Sequence, residues 1–586
     1  MTQTMKKFIL LGMALACAIR SLAQLSISLP VAGVYQSTST NTSVVLAGQY
    51  IGSSLSNYRI EYEVYRLDVS DSHYLSTQQT WTTITTNPTY GLFRTTLSLP
   101  IGWYSVAVRV WNISTSSAGS SNSVVFGVGD VFVISGQSNA QGGSSSLPSL
   151  NTTYDGIVSH NYTDGCNNNL PPYPVMTALS TYNSIGPNGT NSWCWAYLGQ
   201  QLQSGAPSGG KPIAFFNAAH GGSSSLNWKE SANGTNTTNQ YTGSVWCGGS
   251  YSGPAQPYFS LKTTLQYYAA IFGVNALLWH QGEADNEYPS GRTNRSTYRQ
   301  NLLDLIAQTR TDYGSSLRWL VSEASFQGAN PTGYETNTDV TSAQDDIVSN
   351  SSYDPSDYNY KGVITDGYGT SYRDITDKVH FREDRNNAVS LLGNLWNTAI
   401  GNATSGPIGG VTPPTITMSK VGSNWTLTCQ GTYSAYRWIN MSSANTNSPV
   451  GTSFSYSGST GGSYACLVQS SNGKWAISQT IYTNCGSCRE GAFANWSEEE
   501  EGIQTKAYPV PFDKDLTIEF TIPADSRVRL ELIDESGRIL QKVTDSMHIK
   551  GTFKYPISLD SSPSSILFYR LNVNGLGITK KLLKVQ

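Results

Sequence analysis

Residues 129–143 read GDVFVISGQSNAQGG. Val131–Ser135 is a short, mostly apolar run of the kind that forms a strand buried on both faces. It breaks into Gly136, Gln137, Ser138, Asn139 and Ala140, all small or polar. In an open α/β sheet, ligands bind beyond the carboxyl ends of the strands. A serine set just past such an end, in a turn tight enough to need glycine, stands where chemistry is done. Further short apolar runs follow: PIAFFNA (212–218), NALLWHQ (275–281), RWLVSEA (318–324) and KGVIT (361–365). Between and after them lie helix-like segments at 191–203, 258–272, 295–313 and 384–400. Strands alternating with helices predict a parallel sheet covered on both faces.

Outward from this centre the pattern changes. Residues 24–127 alternate apolar and polar side chains with period two, as in YRIEYEVYRLDV (58–69) and WYSVAVRVWNI (103–113), and predict a β-sandwich. The α/β domain spans 128–403 and ends in a Gly/Pro linker at 404–411. Residues 412–484 return to strands. A spacer at 485–504 holds the acidic run SEEEEG (497–502), and 505–586 form another β module.

Over 586 residues this makes several domains. Charged residues are 13% and the net charge is −3, so nothing in bulk charge attracts nucleic acid or an anionic membrane. A leader occupies residues 1–23, with Lys6 and Lys7 before the apolar run FILLGMALACA and small residues Ser21 and Ala23 at a cleavage site. Cys17 raises a lipoprotein alternative, but ALAC lacks the usual branched residue three positions earlier. No later segment is apolar enough for a transmembrane helix. Beyond Cys17, seven cysteines remain, an odd number in an exported chain. The pairing of Cys166, Cys194, Cys247, Cys485 and Cys488 stays open. Cys485 and Cys488 lack the second ligand pair of a zinc site, and a loop disulfide is the simpler reading.

A serine nucleophile needs a base. His73 and His548 lie in other domains, and His160 sits in a Tyr/Asn-rich stretch read as a loop. His380 follows the last candidate strand, with Asp377 three residues before it, a spacing that lets the carboxylate meet one ring nitrogen while the other faces Ser138. NAAHGGSSSLNW (217–228) brings Gly221 and Gly222 to a second strand end, where glycine lets backbone N–H groups approach a reacting carbonyl. LLWHQGEADN (277–286) brings the Gln281 amide and Glu283 to a third. His220 and His280 stand in these stretches as alternative bases. Glu283 reads equally as a buttress of the site and as a hydrogen-bonding strand-end carboxylate.

In this order, GQSN (136–139), GGS (221–223), QGE (281–283) and DKVH (377–380) resemble the four blocks of the SGNH-hydrolase superfamily. More narrowly they resemble its sialate O-acetylesterase and acetylxylan esterase group, carbohydrate esterase family six. The resemblance implies a three-layer α/β/α domain, with Ser138 as nucleophile, His380 as general base and Asp377 as its orienter. It further implies an oxyanion hole from the Ser138 N–H, Gly222 (or Gly221) and Gln281, and an acetylated carbohydrate as substrate, with no metal or cofactor. The α/β-hydrolase elbow G-x-S-x-G is a poorer fit, because Ala140 replaces the last glycine. A non-catalytic glycan-binding or adhesive surface protein is the alternative.

Two flanking segments carry resemblances of their own. Cys429, Trp438 and Cys466, with Tyr464 two residues before the second cysteine, resemble an Ig-like sandwich, which implies a Cys429–Cys466 disulfide packed by Trp438. YPVPF (508–512), LIDESGRIL (532–540), LFYRLNVNG (567–575) and TKKLLK (579–584) resemble the C-terminal sorting domain of type IX secretion, although Val510 stands where that domain has Asn. This implies type IX machinery as a partner and a secreted or cell-surface protein.

Overall fold

The computed structural model describes residues 24–51, 57–143, 146–148, 155–162, 174, 176–181, 183–204, 209–246, 253–286, 292–328, 335–355, 357–403, 406–441, 448–483, 503–522, 525–534, 539–559, 566–573 and 576–584. The leader, the acidic run 497–502 and Cys166, Cys247, Cys485 and Cys488 lie outside the described residues.

Six parallel strands form the centre: β1 (Ser117–Gly136), β2 (Ile157–His160), β3 (Ile213–Asn217), β4 (Ala276–His280), β5 (Trp319–Glu323) and β6 (Asn359–Ile364), in the spatial order β2-β3-β1-β4-β5-β6. The register pairs Asn217 with Ile134 and His280 with Gly136, so β3, β1 and β4 end on one line at one edge. The order reverses beside β1, which makes its carboxyl end the switch point of the sheet.

Successive side chains of these strands separate cleanly. Val131, Val133, Ala214, Phe216, Leu277, Trp279, Trp319 and Val321 share a core with Trp228 of α3 (Ser225–Ala232), Leu302 and Leu305 of α6 (Arg295–Tyr313) and Val340 and Ile347 of α7 (Thr338–Ser349). Phe132, Ile134, Ile213, Phe215, Ala276, Leu278 and Leu320 share a second core with Trp195 and Leu198 of α2 (Trp193–Ser204) and with Leu392 and Trp396 of α8 (Ala388–Gly401). A strand buried on both sides is apolar along most of its length, as in β1, β3, β4 and β5, where polar residues such as Asn217 and His280 come at the carboxyl ends. Among the described residues there are also three shorter helices: α1 (Ser138–Gln141), α4 (Tyr258–Thr263) and α5 (Glu283–Asn286). The helix expected over 258–272 is regular only through Thr263; residues Thr264–Tyr268 continue it as a π-helix.

Strand β1 is twenty residues long. Its first part pairs with Gly102–Asn112 in the N-terminal β unit, and its last part is the central strand of the parallel sheet. The N-terminal unit therefore continues into the α/β sheet without a break in the backbone ladder. Residues 415–482 form a sandwich of a three-stranded and a four-stranded sheet, whose core residues Ile416, Trp438 and Ile481 join the first cluster. Cys429 and Cys466 are free thiols, which corrects the disulfide expected between them. They lie on the two facing sheets, where each Sγ faces a main-chain carbonyl, Cys429 that of Gln430 and Cys466 that of Leu467, and the neighbouring thiol and burial push Cys466 up. The Tyr464 ring packs on Trp425 and Tyr456. Residues 504–583 form a further two-sheet unit with a separate core around Ile518, Leu530, Leu532 and Leu571. Among the described residues no helix is long and apolar enough to cross a membrane.

Candidate active site

Gly136 ends β1 with φ +126, and a Cβ there would sit 2.0 Å from the His280 carbonyl oxygen, so only glycine lets the two strand ends close up. The chain then makes one turn of helix, α1. The Ala140 and Gln141 N–H groups donate to the Gln137 carbonyl, and the left-handed Gly142 stops the helix. Two indoles fix this turn from below: Trp193 Nε1 donates to the Asn139 carbonyl at 2.8 Å and Trp195 Nε1 to the Ala140 carbonyl at 3.0 Å.

Ser138 faces His380 across the edge. Its Oγ lies 2.6 Å from His380 Nε2, and His380 Nδ1 lies 2.8 Å from Asp377 Oδ2. The second oxygen of Asp377 accepts the N–H groups of Val379 and His380, at 2.8 and 3.0 Å. Burial alone would raise the Asp377 pKa, but the His380 hydrogen bond and charge and the Val379 N–H outweigh it and hold the carboxyl at about 2. The His380 and Asp377 side chains are 25% and 45% exposed, so a substrate can reach this row from solvent.

The Gly-Gly turn adjoins the serine: a Cβ on Gly221 would lie 3.5 Å from that of Ser138. The Gly221 N–H is committed to Gln141 Oε1 at 2.8 Å, while Gln141 Nε2 donates to the Asn188 carbonyl. Gly222 is left-handed, φ +75. Among the described residues no acceptor faces the N–H of Gly222 or of Ser138.

Gln281, expected to offer its amide to the oxyanion, is turned into the protein. It is fully buried, and its Nε2 donates to Asp285 Oδ2 at 2.6 Å and to the Ser223 carbonyl at 3.2 Å, with Gln137 Oε1 at 3.3 Å. Its own Oε1 accepts from the Tyr298 hydroxyl. Glu283 is buried beneath the serine turn and accepts from Asn139 Nδ2 at 2.8 Å. Burial would raise its pKa, but His280 and Asn139 outweigh this and hold it at about 2.

The other histidines are not beside the serine hydroxyl. His220 Nε2 meets Asn188 Nδ2 at 2.7 Å, its ring lies against Trp228 and Trp246, and burial pushes it down to about 4. His280 is fully buried, with Nε2 3.4 Å from Glu283 Oε1. His160 corrects the expectation of a loop: it closes strand β2, fully buried against the rings of Tyr268 and Phe216. Gln141 went unassigned in the sequence although it stands in the opening stretch, because nothing local shows that its amide will span to Gly221. Among the described residues one group has metal-ligand spacing, Asp68, Asp71 and His73 on the N-terminal unit, where His73 Nδ1 pairs with Asp71.

Residues 128–357 match the family of carbohydrate esterases described as sialic acid-specific acetylesterases. This match supports an acetylesterase acting on glycans. The matched esterase segment opens at the strand that delivers Ser138 and includes the Gly221-Gly222 turn and Gln281–Glu283. It stops short of Asp377 and His380. No curated protein matches the chain. Among solved structures, a protein of Arabidopsis thaliana is 14% identical over 47% of this chain and 99% of its own, at a TM-score of 0.27. A calcium-binding mutant of Bacteroides uniformis β-glucuronidase 2 is 10% identical over 96% of this chain and 79% of its own, at 0.23.

Proposed function

We propose that the chain is a glycan O-acetylesterase with an SGNH-type three-layer domain, in which Ser138, His380 and Asp377 act as nucleophile, general base and orienter. The observation that carries this reading is the continuous pair of hydrogen bonds from Asp377 through His380 to the serine hydroxyl. As Ser138 Oγ attacks the acetyl carbonyl, its proton passes to His380 Nε2. The carbonyl oxygen becomes an oxyanion, and the N–H groups of Ser138 and Gly222 receive it. His380 returns the proton to the departing sugar oxygen, leaving an acetyl-serine. Water, deprotonated by His380, then attacks the acetyl group, releases acetate and restores the serine. Asp377 stays ionised throughout and holds the Nδ1–H. Gln281 serves this site by fixing the loops under it, since its amide is already spent on Asp285 and Ser223.

The leader and the tail motifs support export, with the last module as a type IX sorting domain. The cysteine and tryptophan pattern supports an Ig-like class for the sandwich before it.

The test is turnover of a small chromogenic acetate, followed by acetate release from a panel of acetylated glycans. Wild type is expected to hydrolyse both classes and Ser138→Ala neither. Substantial turnover by Ser138→Ala would overturn the proposal.

A further inference from the structure

Below the serine–histidine pair lies a buried group that the reaction does not use directly. The Asn139 side chain, next to Ser138 in sequence, reaches across to the loop that holds His380. Its Nδ2 donates to the Val379 carbonyl at 3.2 Å and its Oδ1 accepts the Phe381 N–H at 3.3 Å. One amide thus pairs with the backbone on both sides of His380, as a neighbouring strand would. Glu283 Oε1 takes the other Nδ2 hydrogen at 2.8 Å, which fixes which way the amide faces.

The same Val379 carbonyl accepts from Arg373 Nη1. Arg373 is fully buried. Its Nε donates to the Tyr368 carbonyl at 3.0 Å and its Nη2 to the Thr365 carbonyl at 3.2 Å. Its guanidinium lies 4.5 Å from the ring centre of Phe326 and 4.1 Å from that of Phe381. An arginine sealed between two rings, spending its donors on three main-chain carbonyls, is an expensive way to hold a loop. It ties Thr365 and Tyr368, near the start of residues 365–381, to Val379, near their end, in the segment that presents Asp377 and His380.

We propose that Asn139 and Arg373 form a buried clamp that sets the Ser138–His380 distance, and that both are positioning residues for the esterase reaction. The proposal rests on the serine-esterase reading above. A hydrogen bond between two side chains on separate loops survives only if the loops are held to each other, and a displacement of about 1 Å can cost about 10²-fold in rate. Asn139 ties the loops together directly, and Arg373 keeps the acceptor in place.

The experiment uses the full chain with Asn139→Asp, which keeps the shape and loses the donors, and Arg373→Lys, which keeps the charge and loses the fork. Each is measured for thermal melting, for kcat and KM on a chromogenic acetate, and for labelling of Ser138 by an organophosphonate. Each is also combined with His380→Ala. The expected result is a folded protein with kcat and labelling rate down by about 10²-fold, KM within about twofold, and no further loss when His380 is already alanine. A folded variant that keeps its kcat within about threefold would overturn the clamp. So would an undiminished effect in the His380→Ala background, which would mean an action not exerted through His380. Failure of both variants to fold would make the residues structural and also overturn it. Ser138→Ala, run alongside, separates the two proposals: turnover surviving in it defeats the serine-esterase reading, whereas turnover lost in it but kept in the clamp variants defeats the clamp alone.

Discussion

At the scale of single residues, the reading turns on which groups share a proton. Ser138 and His380 act as one unit, so His380→Ala is expected to lower kcat about as far as Ser138→Ala, with the double variant no worse. Asp377→Asn should do less damage but still cost about 10⁴-fold, because with its amide oxygen on the Val379 and His380 N–H groups its Nδ2 donates to His380 Nδ1 and leaves the ring proton on Nε2, where the base must be free. Single and double variants on a chromogenic acetate check this. The acid side of the stability curve follows from Asp377 and Glu283. Both are held at about 2, below ordinary values of 3.8 and 4.5. A depressed folded pKa contributes stability that is complete above the unfolded value and lost as pH falls through the folded one. The melting temperature is therefore expected to fall between about pH 4.5 and pH 2 in wild type, and the fall should be shallower in Asp377→Asn and in Glu283→Gln. Equal slopes in all three proteins would count against this assignment.

At the scale of elements, the decisive feature is the meeting of strand ends. Gly136 admits the His280 carbonyl to a place where any side chain would clash. Gly136→Ala is expected to cost at least about 1–3 kcal/mol in urea unfolding and to remove activity by displacing the serine turn. The apolar runs of β1, β3, β4 and β5 were legible because a strand buried on both faces shows few polar positions to disguise it, while β6, half-exposed, showed only the short run GVI (362–364). Strand β2 was not: Ile157–His160 is four residues long, set among Asn, Tyr and Gly, and its polar members Ser159 and His160 are buried by tertiary packing that no local pattern announces. The residue types that meet at the sheet edge were legible from their spacing after each strand. Their directions were not. Gln281 looked like a donor to the site because glutamine at a strand end can be one, whereas the buried carboxylate of Asp285 claims its amide. Arg373 carried no signal, since a single arginine four residues before Asp377 reads as solvated until the fold buries it.

At the scale of the whole molecule, the units are joined with unequal firmness. The N-terminal β unit shares strand β1 and one continuous core with the α/β domain. The last unit has a core of its own, and its contacts with the α/β domain include Lys542 to Asp155 at 3.2 Å and Arg527 to the Met176 carbonyl. Removing residues from 505 onward is therefore expected to leave esterase activity and its melting temperature unchanged, and, on the sorting proposal, to strand the protein in the periplasm of a host with type IX secretion. Cutting between 127 and 128 should give an insoluble or inactive fragment, because it severs the central strand of the sheet. Expression of both truncations, with activity and cell fractionation, distinguishes these outcomes. The measurement that tests the central claim most directly is rapid quenching of the enzyme during turnover of an acetylated substrate, followed by peptide mass mapping. The expected result is one acetyl group on the peptide containing Ser138 in wild type quenched at low pH, and none in Ser138→Ala or His380→Ala, which lack the nucleophile or its base. Acetylation of a different residue in an actively turning-over enzyme would contradict it.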